Sequence, residues 1–383
     1  MLAQPPLSAN PELHAGIAKR LDDIVELARA ELGDKLKTVL LGGSLARGEA
    51  LGVSEGLGLR LLSDLDMYFV ADGEGANLRQ AINRYFGEDE FLVAPPDVAV
   101  VPLSFFADSA SAMPTHQLAH AHRVLWGEPV QIRGARAADG RPEVDSRDAG
   151  ELLFNRFVES LDPRMEEDLP RLMHRTKEFI DAPMAWLGSI GEYTPDRVLQ
   201  IQRMRELCSG WERAASERLE QALQHWAACL RARDEGVVDR ARLEQLAGES
   251  GGYPAWQDWT GGLAMALLTG GGTAVLESSL RDGLDRPGLD EACRGWLRRE
   301  PLVARLRRAR RWSSIAPGEV TGWLSHGFGG SGPDRIFAAA CLRYHGLDDW
   351  ASPLAALTHE PLTDPADVHA LWWRWIQGRD DDA

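Results

Sequence analysis

The sequence has few cysteines and no long apolar segment. Its 383 residues include four cysteines, none of them in a CxxC pair. We therefore expect buried thiols in a reducing compartment and no zinc site built from cysteine. No run of about 18 apolar residues is present, and the N-terminus lacks the charged-then-apolar pattern of a signal peptide. These absences predict a cytoplasmic protein without a membrane span.

Basic residues are also fewer than acidic residues. The chain has 42 Lys and Arg against 58 Asp and Glu, and a formal net charge of -16. A general nucleic-acid binder normally carries a basic surface, so we expect no general nucleic-acid binding. The charge does not exclude a local pocket for a phosphorylated small molecule. With 44% hydrophobic residues, the chain can bury a sizeable core.

Two parts of the chain differ in their hydrophobic patterning. Up to the polar stretch 134–150, the periodicity predicts strands over 37–42, 60–70 and 97–103 and helices over 10–34, 74–87 and 114–127. Beyond that stretch strand patterns almost vanish, and long helical patterns follow. The sequence therefore predicts an α+β protein, with an α/β domain that has a short mixed sheet over 1–140. A larger all-helical domain is expected over 141–383, with a further division at the glycine-rich stretch 248–254.

The second predicted strand carries an acidic pair, Asp64 and Asp66, ahead of the apolar run Met-Tyr-Phe-Val. Side chains alternate along a strand, so the two carboxylates would point the same way. Burying them without compensation would cost several kcal/mol, which a divalent cation such as Mg²⁺ would remove. The alternative is that Ser63 and Asp64 form a turn and that Asp66 lies on an exposed strand face.

The first predicted strand runs into Gly42, Gly43 and Ser44, with Arg47 one turn later. Glycines at this place let the backbone approach a ligand, and the serine hydroxyl and the guanidinium group suit phosphate oxygens. The stretch is not a P-loop, since Glu49 and the alanine after it replace the Lys-Ser/Thr pair of that motif. It also lacks the last glycine of a G-x-S-x-G nucleophile elbow.

The segments LLGGSLARGE, SDLDMYFV and PDVAVVPL together resemble the DNA polymerase beta-like nucleotidyltransferase superfamily, in particular its small bacterial aminoglycoside-type and minimal members. The resemblance covers about residues 40–130 and extends loosely over 150–210. It implies the fold of that superfamily for the N-terminal domain. It also implies that Gly42, Gly43 and Ser44 bind the nucleotide, that Asp64 and Asp66 bind magnesium, and that Asp97 is the third acid.

The implied reaction transfers a nucleoside monophosphate from an NTP, in the first place ATP, to a hydroxyl group of a small-molecule acceptor. Two Mg²⁺ ions could take part, and Asp97 would either accept the hydroxyl proton or hold the second ion. Arg156, Arg175 and Lys177 could reach the outer phosphates, although a solvated helix face is favoured for each of them. Two other functions stay open: a protein or RNA acceptor, and a non-catalytic nucleotide-binding regulator.

Other features receive a structural interpretation. Residues 45–63 separate Ser44 from Asp64 by more than is usual in the superfamily, and we expect a surface loop there. His116 and His120 have helical spacing but no HExxH pattern, so packing is favoured over metal binding. The basic stretch 298–312 is the only support for an RNA or protein acceptor, and a helix with local ion pairs is favoured. The tryptophans near the C-terminus are expected to pack in the core.

Overall fold

The computed structural model describes residues 6–56, 58–72, 75–248, 256–270, 272–298, 339–341, 343 and 364–370. Over these ranges the chain is an α+β protein, in which a small mixed sheet precedes a mainly helical C-terminal part. This confirms the predicted fold class at that level. No helix within these ranges is both long enough and apolar enough to cross a bilayer. The predicted break at 248–254 and the basic stretch beyond 298 lie almost entirely outside the described residues.

Helices and strands are mixed along the chain up to β6, and the described elements are mostly helices afterwards. The strands are β1 (Leu36–Leu41), β2 (Gly52–Glu55), β3 (Gly58–Leu61), β4 (Asp66–Ala71), β5 (Asp97–Val101), β6 (Arg123–Gly127) and β7 (Val237–Asp239). The helices of the first part are α1 (Pro11–Leu32), α2 (Gly43–Ala46), α3 (Ala76–Phe86), α4 (Phe105–Asp108) and α5 (Met113–His120). Those of the second part are α6 (Ser146–Glu159), α7 (Asp168–Ser189), α8 (Arg197–Leu207), α9 (Arg213–Glu235), α10 (Arg240–Leu246), α11 (Trp256–Thr269), α12 (Gly272–Asp282) and α13 (Arg286–Arg298).

The main sheet has the strand order β5-β4-β1-β6. β1 is antiparallel to β4 and β6, whereas β4 and β5 are parallel. Both faces are covered, because Phe69 packs into a core shared with α1 and α3 and its neighbour Val70 packs into another beneath α4 and α5. The near-continuous apolar runs of β1 and β4 are typical of strands buried on both faces.

The first helix begins and ends as its sequence predicts. The Asn10 side chain accepts a hydrogen bond from the Leu13 amide at 2.9 Å, and Pro11 occupies the first turn. Gly33, with φ +52°, ends the helix in a conformation that favours glycine. The side chains that face the sheet recur at helical spacing, and α1 is thereby held against it.

The prediction of one continuous strand over 60–70 is wrong. It is divided into β3 and β4 by a bend at Ser63, whose hydroxyl group accepts a hydrogen bond from the Leu51 amide at 2.9 Å. Asp64 therefore lies in the link before β4, and strand alternation does not apply to it. Ser63 and Asp64 agree with the alternative in that they lie outside the strand, but Asp66 is half-buried and not on the exposed strand face which that alternative expected.

The predicted helix 114–127 is also wrong in its second half. α5 ends at His120, and the chain is extended at Ala121. Val124, Leu125 and Trp126 then continue as β6, where β-branched and aromatic residues pack well on a sheet. This strand pairs with β1 and completes the sheet edge.

The insert 45–63 is not a surface loop, which corrects the expectation. Its centre is the hairpin β2-β3, and β2 pairs in parallel with β7 from the end of the long helix α9. The Gly52 amide donates to the Gly236 carbonyl at 2.8 Å, and Val53 is fully buried in the core of the helical part. The insert thus joins the two parts of the chain in one three-stranded sheet.

The helical part is organised around large apolar side chains. Trp186, Trp226 and Trp259 are fully buried, together with Phe154 and Phe157. The expectation that late tryptophans fill the core is confirmed for these three, while 371–377 lie outside the described residues. α7 crosses this core and packs most extensively against α6, so its polar residues are brought close to the N-terminal sheet.

Candidate active site

The turn formed by Gly42, Gly43 and Ser44 lies directly against Asp66, the second residue of the acidic pair. The Gly42 amide donates to the Asp66 carbonyl at 2.9 Å, and Gly43 has φ +62°. A Cβ atom on Gly43 would lie 1.7 Å from Asp66 Oδ2. Glycine is therefore required twice here, for its backbone conformation and for the close approach of a carboxylate. Ser44 follows, 7% exposed, and the insert has not displaced the turn from the aspartates.

A buried arginine supports this turn from β6. Arg123 Nε donates to the Ala46 carbonyl at 2.9 Å, and the same guanidinium group donates to the Pro6 carbonyl at 3.1 Å. The side chain is 6% exposed. The first bond satisfies a carbonyl group at the end of α2, which is too short to satisfy it itself, and the second ties the segment before α1 to the same guanidinium group. The sequence offered no motif for this residue.

Asp66 and Asp97 are neighbours across the parallel strands β4 and β5. They are register partners, and the Asp97 amide donates to the Leu65 carbonyl at 2.9 Å. Burial raises the pKa of Asp66 to about 7, and the negative charges of Asp64 and Asp97 add to the effect. The structure therefore brings together the three acids that the sequence analysis proposed.

Asp64 is in a different electrostatic position. Lys177 Nζ donates to Asp64 Oδ2, and the two side chains are 10% and 26% exposed. Burial alone would raise the pKa of Asp64, but the charges of Lys177 and Arg156 outweigh it and hold that pKa below its ordinary value. Asp64 is consequently ionised near neutral pH.

Polar side chains of α6 and α7 lie on the side of the site that faces these acids. His174, Lys177, Glu178 and Asp181 share one face of α7, and each is at most 8% exposed. Arg156 of α6 donates from Nε to Asp181 Oδ2 at 2.8 Å. Lys177 and Arg156 are thus not on a solvated helix face, the alternative favoured for them from sequence. The i, i+3, i+4, i+7 spacing of polar residues on α7 was the available signal.

A cluster of three arginines, which we call the arginine cluster, lies beside the turn. Arg47, Arg197 and Arg233 surround the carboxylate of Glu49, which Arg47 Nε and one terminal nitrogen of Arg197 approach to 2.8 and 3.3 Å. Burial and the neighbouring guanidinium groups lower the pKa of Arg197 to about 9. Arg233 is 7% exposed, and its Nε atom has no hydrogen-bond partner within the described residues.

The arginine cluster faces carboxylates as well as a cavity. All three guanidinium groups interact with Glu49, and Arg233 also interacts with Asp181 and Asp64. Arg47 and Arg197 line a cavity of about 200 Å³ together with Glu49, Asp196 and Asp234, so an anion bound there would compete with these carboxylates for the guanidinium groups. Of these three arginines, only Arg47 was predicted from the sequence. The position of Arg233 could have been predicted from the sequence, because its helical spacing places it on the same buried face of α9 as Trp226 and Cys229.

The acids fit a divalent cation in their chemistry, although they are not arranged as a closed metal cage. In the described part of the chain, no three His, Cys, Asp or Glu side chains are placed to hold one ion. Mg²⁺ needs only one or two protein carboxylates, since water and phosphate oxygens complete its shell. Asp66 and Asp97 supply such oxygens. His116, by contrast, pairs at 3.0 Å with the Glu143 carbonyl and packs against Tyr193.

Comparison of the chain with protein-family models and with curated proteins finds no match in either case. The residues and their geometry are therefore the whole basis for a functional assignment.

Proposed function

We propose that the protein is a Mg²⁺-dependent nucleotidyltransferase that moves a nucleoside monophosphate from an NTP to a hydroxyl group of a small-molecule acceptor. One observation carries the proposal: Asp66 and Asp97 are register partners on the neighbouring strands β4 and β5, and the Asp66 carboxylate lies against the Gly43-Ser44 turn. This places oxygen ligands for a cation next to backbone and hydroxyl groups suited to phosphate. ATP is the first nucleotide to test.

The triphosphate would bind between the turn and the helical part. Gly43 and Ser44 offer an amide and a hydroxyl group to the phosphate next to the reacting atom, and Arg47 extends from the same segment. Arg197 and Arg233 add two guanidinium groups from α8 and α9, which suit the more highly charged outer phosphates. Such charges would stabilise pyrophosphate as it leaves.

In the reaction, the acceptor oxygen would form a bond to the α-phosphorus while the bond to the bridging β-phosphate oxygen breaks. Asp66 and Asp97, beside Asp64, would hold Mg²⁺, which supplies charge neutralisation at the phosphoryl oxygens when bound. Asp97 could instead take the proton of the acceptor hydroxyl on a carboxylate oxygen. Lys177 and Arg156 keep Asp64 ionised.

We infer that the acceptor would bind in a cleft next to the arginine cluster. A cleft of about 650 Å³ is lined by 139–142 and by residues between 192 and 206. It adjoins the arginine cavity, since Tyr193 and Thr194 line the cleft and the following residues Pro195 to Arg197 line the cavity. Its volume is that of a small-molecule site.

The test is a mass-spectrometric screen of hydroxylated small molecules incubated with protein, NTP and Mg²⁺. We expect an acceptor that gains the mass of a nucleoside monophosphate, and we expect Asp66→Asn to abolish the product. Asp34→Asn, which removes an exposed carboxylate at the end of α1, is the matched control and should leave turnover unchanged. Equal turnover in both variants would overturn the site assignment.

The same reaction with radiolabelled NTP and cell lysate distinguishes the remaining functions. Label in protein or RNA would indicate a macromolecular acceptor, whose sequence support at 298–312 lies outside the described residues apart from position 298. Binding of NTP without any product would indicate a regulator. The regulator was motivated by the insert, but the turn keeps its contact with Asp66.

A further inference from the structure

Lys177 occupies a position at the acidic group that a cation would otherwise take. It projects from the buried face of α7 and donates a hydrogen bond to Asp64 Oδ2. The side chain borders a small cavity together with Ser63 and Arg233. An ammonium group in this place is a fixed monovalent cation, contributed by the chain itself.

The three acids are therefore not equivalent. Asp64, in the link before β4, has Lys177 against its carboxylate and the charge of Arg156 nearby. Asp66 lies at the start of β4 between the carboxylates of Asp64 and Asp97. The positive charge of Lys177 therefore lies at Asp64. The other two acids, Asp66 and Asp97, are register partners on β4 and β5.

We propose that Lys177 takes the place of a second metal ion at Asp64, so that the site holds one divalent cation, on Asp66 and Asp97. The inference rests on the proposed function, because it assigns different roles to the acids of that site. Asp64 pairs with Lys177, whereas Asp66 and Asp97 bind the cation. The inference revises the expectation of two ions. A divalent cation and an ammonium group repel each other, so binding of both at the Asp64 carboxylate is unfavourable.

The neighbours of Lys177 restrict where its ammonium group can go. α7 is packed against α6, and the adjacent Glu178 and the nearby Asp181 belong to the same buried face. Asp181 is already paired with Arg156 at 2.8 Å. A metal ion at Asp64 would have to displace a buried ammonium group from its carboxylate, which is costly because the group loses its compensating charge.

The experiment is a titration of the full chain with Mn²⁺ in the absence of nucleotide, with free Mn²⁺ measured by electron paramagnetic resonance. We expect one bound ion per chain. Asp66→Asn and Asp97→Asn should weaken binding at least about tenfold. The double variant Asp64→Asn, Lys177→Met removes the ion pair as a unit and should retain the single site.

Lys177→Met alone should bind a second Mn²⁺ ion, because Asp64 is then left without its cation. Lys177→Arg keeps the charge and should retain one ion. Thermal unfolding with and without Mn²⁺ shows that each variant is folded and whether the ion stabilises it. Two ions in the wild-type protein, or loss of binding in the double variant, would overturn the proposal.

These results are separable from those of the functional test. One Mn²⁺ ion at Asp66 and Asp97 in a protein that transfers no nucleotide would contradict the proposed function and leave this inference standing. Nucleotide transfer with two bound ions in the wild-type protein would contradict the inference and leave the function standing.

Discussion

Replacing Gly43 by alanine should disable the site while leaving the fold largely intact. Gly43 has φ +62°, and an added Cβ atom would lie 1.7 Å from Asp66 Oδ2. Gly56, in the turn between β2 and β3, has φ +57° and nothing within 4 Å of the corresponding Cβ position. Gly56→Ala therefore introduces the same kind of backbone strain without the contact, and the two variants form a matched pair.

The expected magnitudes follow from these distances. Alanine in the left-handed region costs about 1–2 kcal/mol, and we expect this loss of stability in both variants. In Gly43→Ala, the Asp66 carboxylate must also retreat by about 2 Å to reach normal contact distance. A misplacement of about 1 Å at a reacting centre can reduce a rate about 100-fold. We expect a loss of at least that size in nucleotide transfer.

The assay compares urea-induced unfolding, Mn²⁺ affinity and nucleotide transfer of the two variants with those of the wild-type protein. Gly43→Ala should lose Mn²⁺ affinity and transfer, whereas Gly56→Ala should keep both within about twofold. If Gly43→Ala keeps Mn²⁺ affinity and transfer at the level of Gly56→Ala, then the contact between the turn and Asp66 is not part of the site.

Three further predictions concern other residues. Arg233→Met should leave the free protein at least as stable as the wild type, because the substitution removes a buried charge. It should raise the KM for NTP about tenfold, because one charge-assisted hydrogen bond to the nucleotide is lost. Thermal unfolding with and without tripolyphosphate checks both effects. Burial lowers the pKa of His174 to about 4, so the stabilisation from keeping it neutral, about 3 kcal/mol, is fully present above pH 6.5 and lost as pH falls towards 4. Urea unfolding at several pH values should show this slope, and His174→Gln should flatten it. Val53→Ala should cost about 2 kcal/mol, because this side chain of the hairpin is fully buried.

Each of these predictions has a contrary outcome. An unchanged KM in Arg233→Met would place the outer phosphates away from the arginine cluster. A pH profile that is the same with and without His174 would assign the acid sensitivity to other groups. Ser54→Ala changes the exposed neighbour of Val53 on β2 and should be neutral; an equally small effect of Val53→Ala would mean that the insert behaves as a surface loop.

The sequence predicted the elements whose signals are local. The cap at Asn10, the glycine at the end of α1 and the apolar runs of β1 and β4 each act within a few residues, and all appear in the structure. The turn and the acidic pair were also recognisable, because glycine followed by serine and Asp-x-Asp have fixed spacing. Their proximity follows from the pairing of β1 with β4.

Features that depend on distant contacts were missed. The hairpin at 52–61 has a partner, β7, that lies far along the chain and is only three residues long, so the short strands looked like a glycine-rich loop. Arg197 and Arg233 resemble solvated arginines on helices, and only their convergence on Glu49 reveals the cluster. The same applies to Lys177, whose role depends on a contact with Asp64 across 113 positions.

The pairing of β2 with β7 has a consequence for how the chain acquires its structure during synthesis. The hairpin leaves the ribosome long before its partner, and Arg240, which pairs with Glu55 at 2.9 Å, is 185 positions downstream. Until then the outer edge of β2 is open, and such edges invite pairing with other chains. Nascent fragments that stop before α9 is complete should consequently aggregate or occupy chaperones, whereas chains extending past α10 should not.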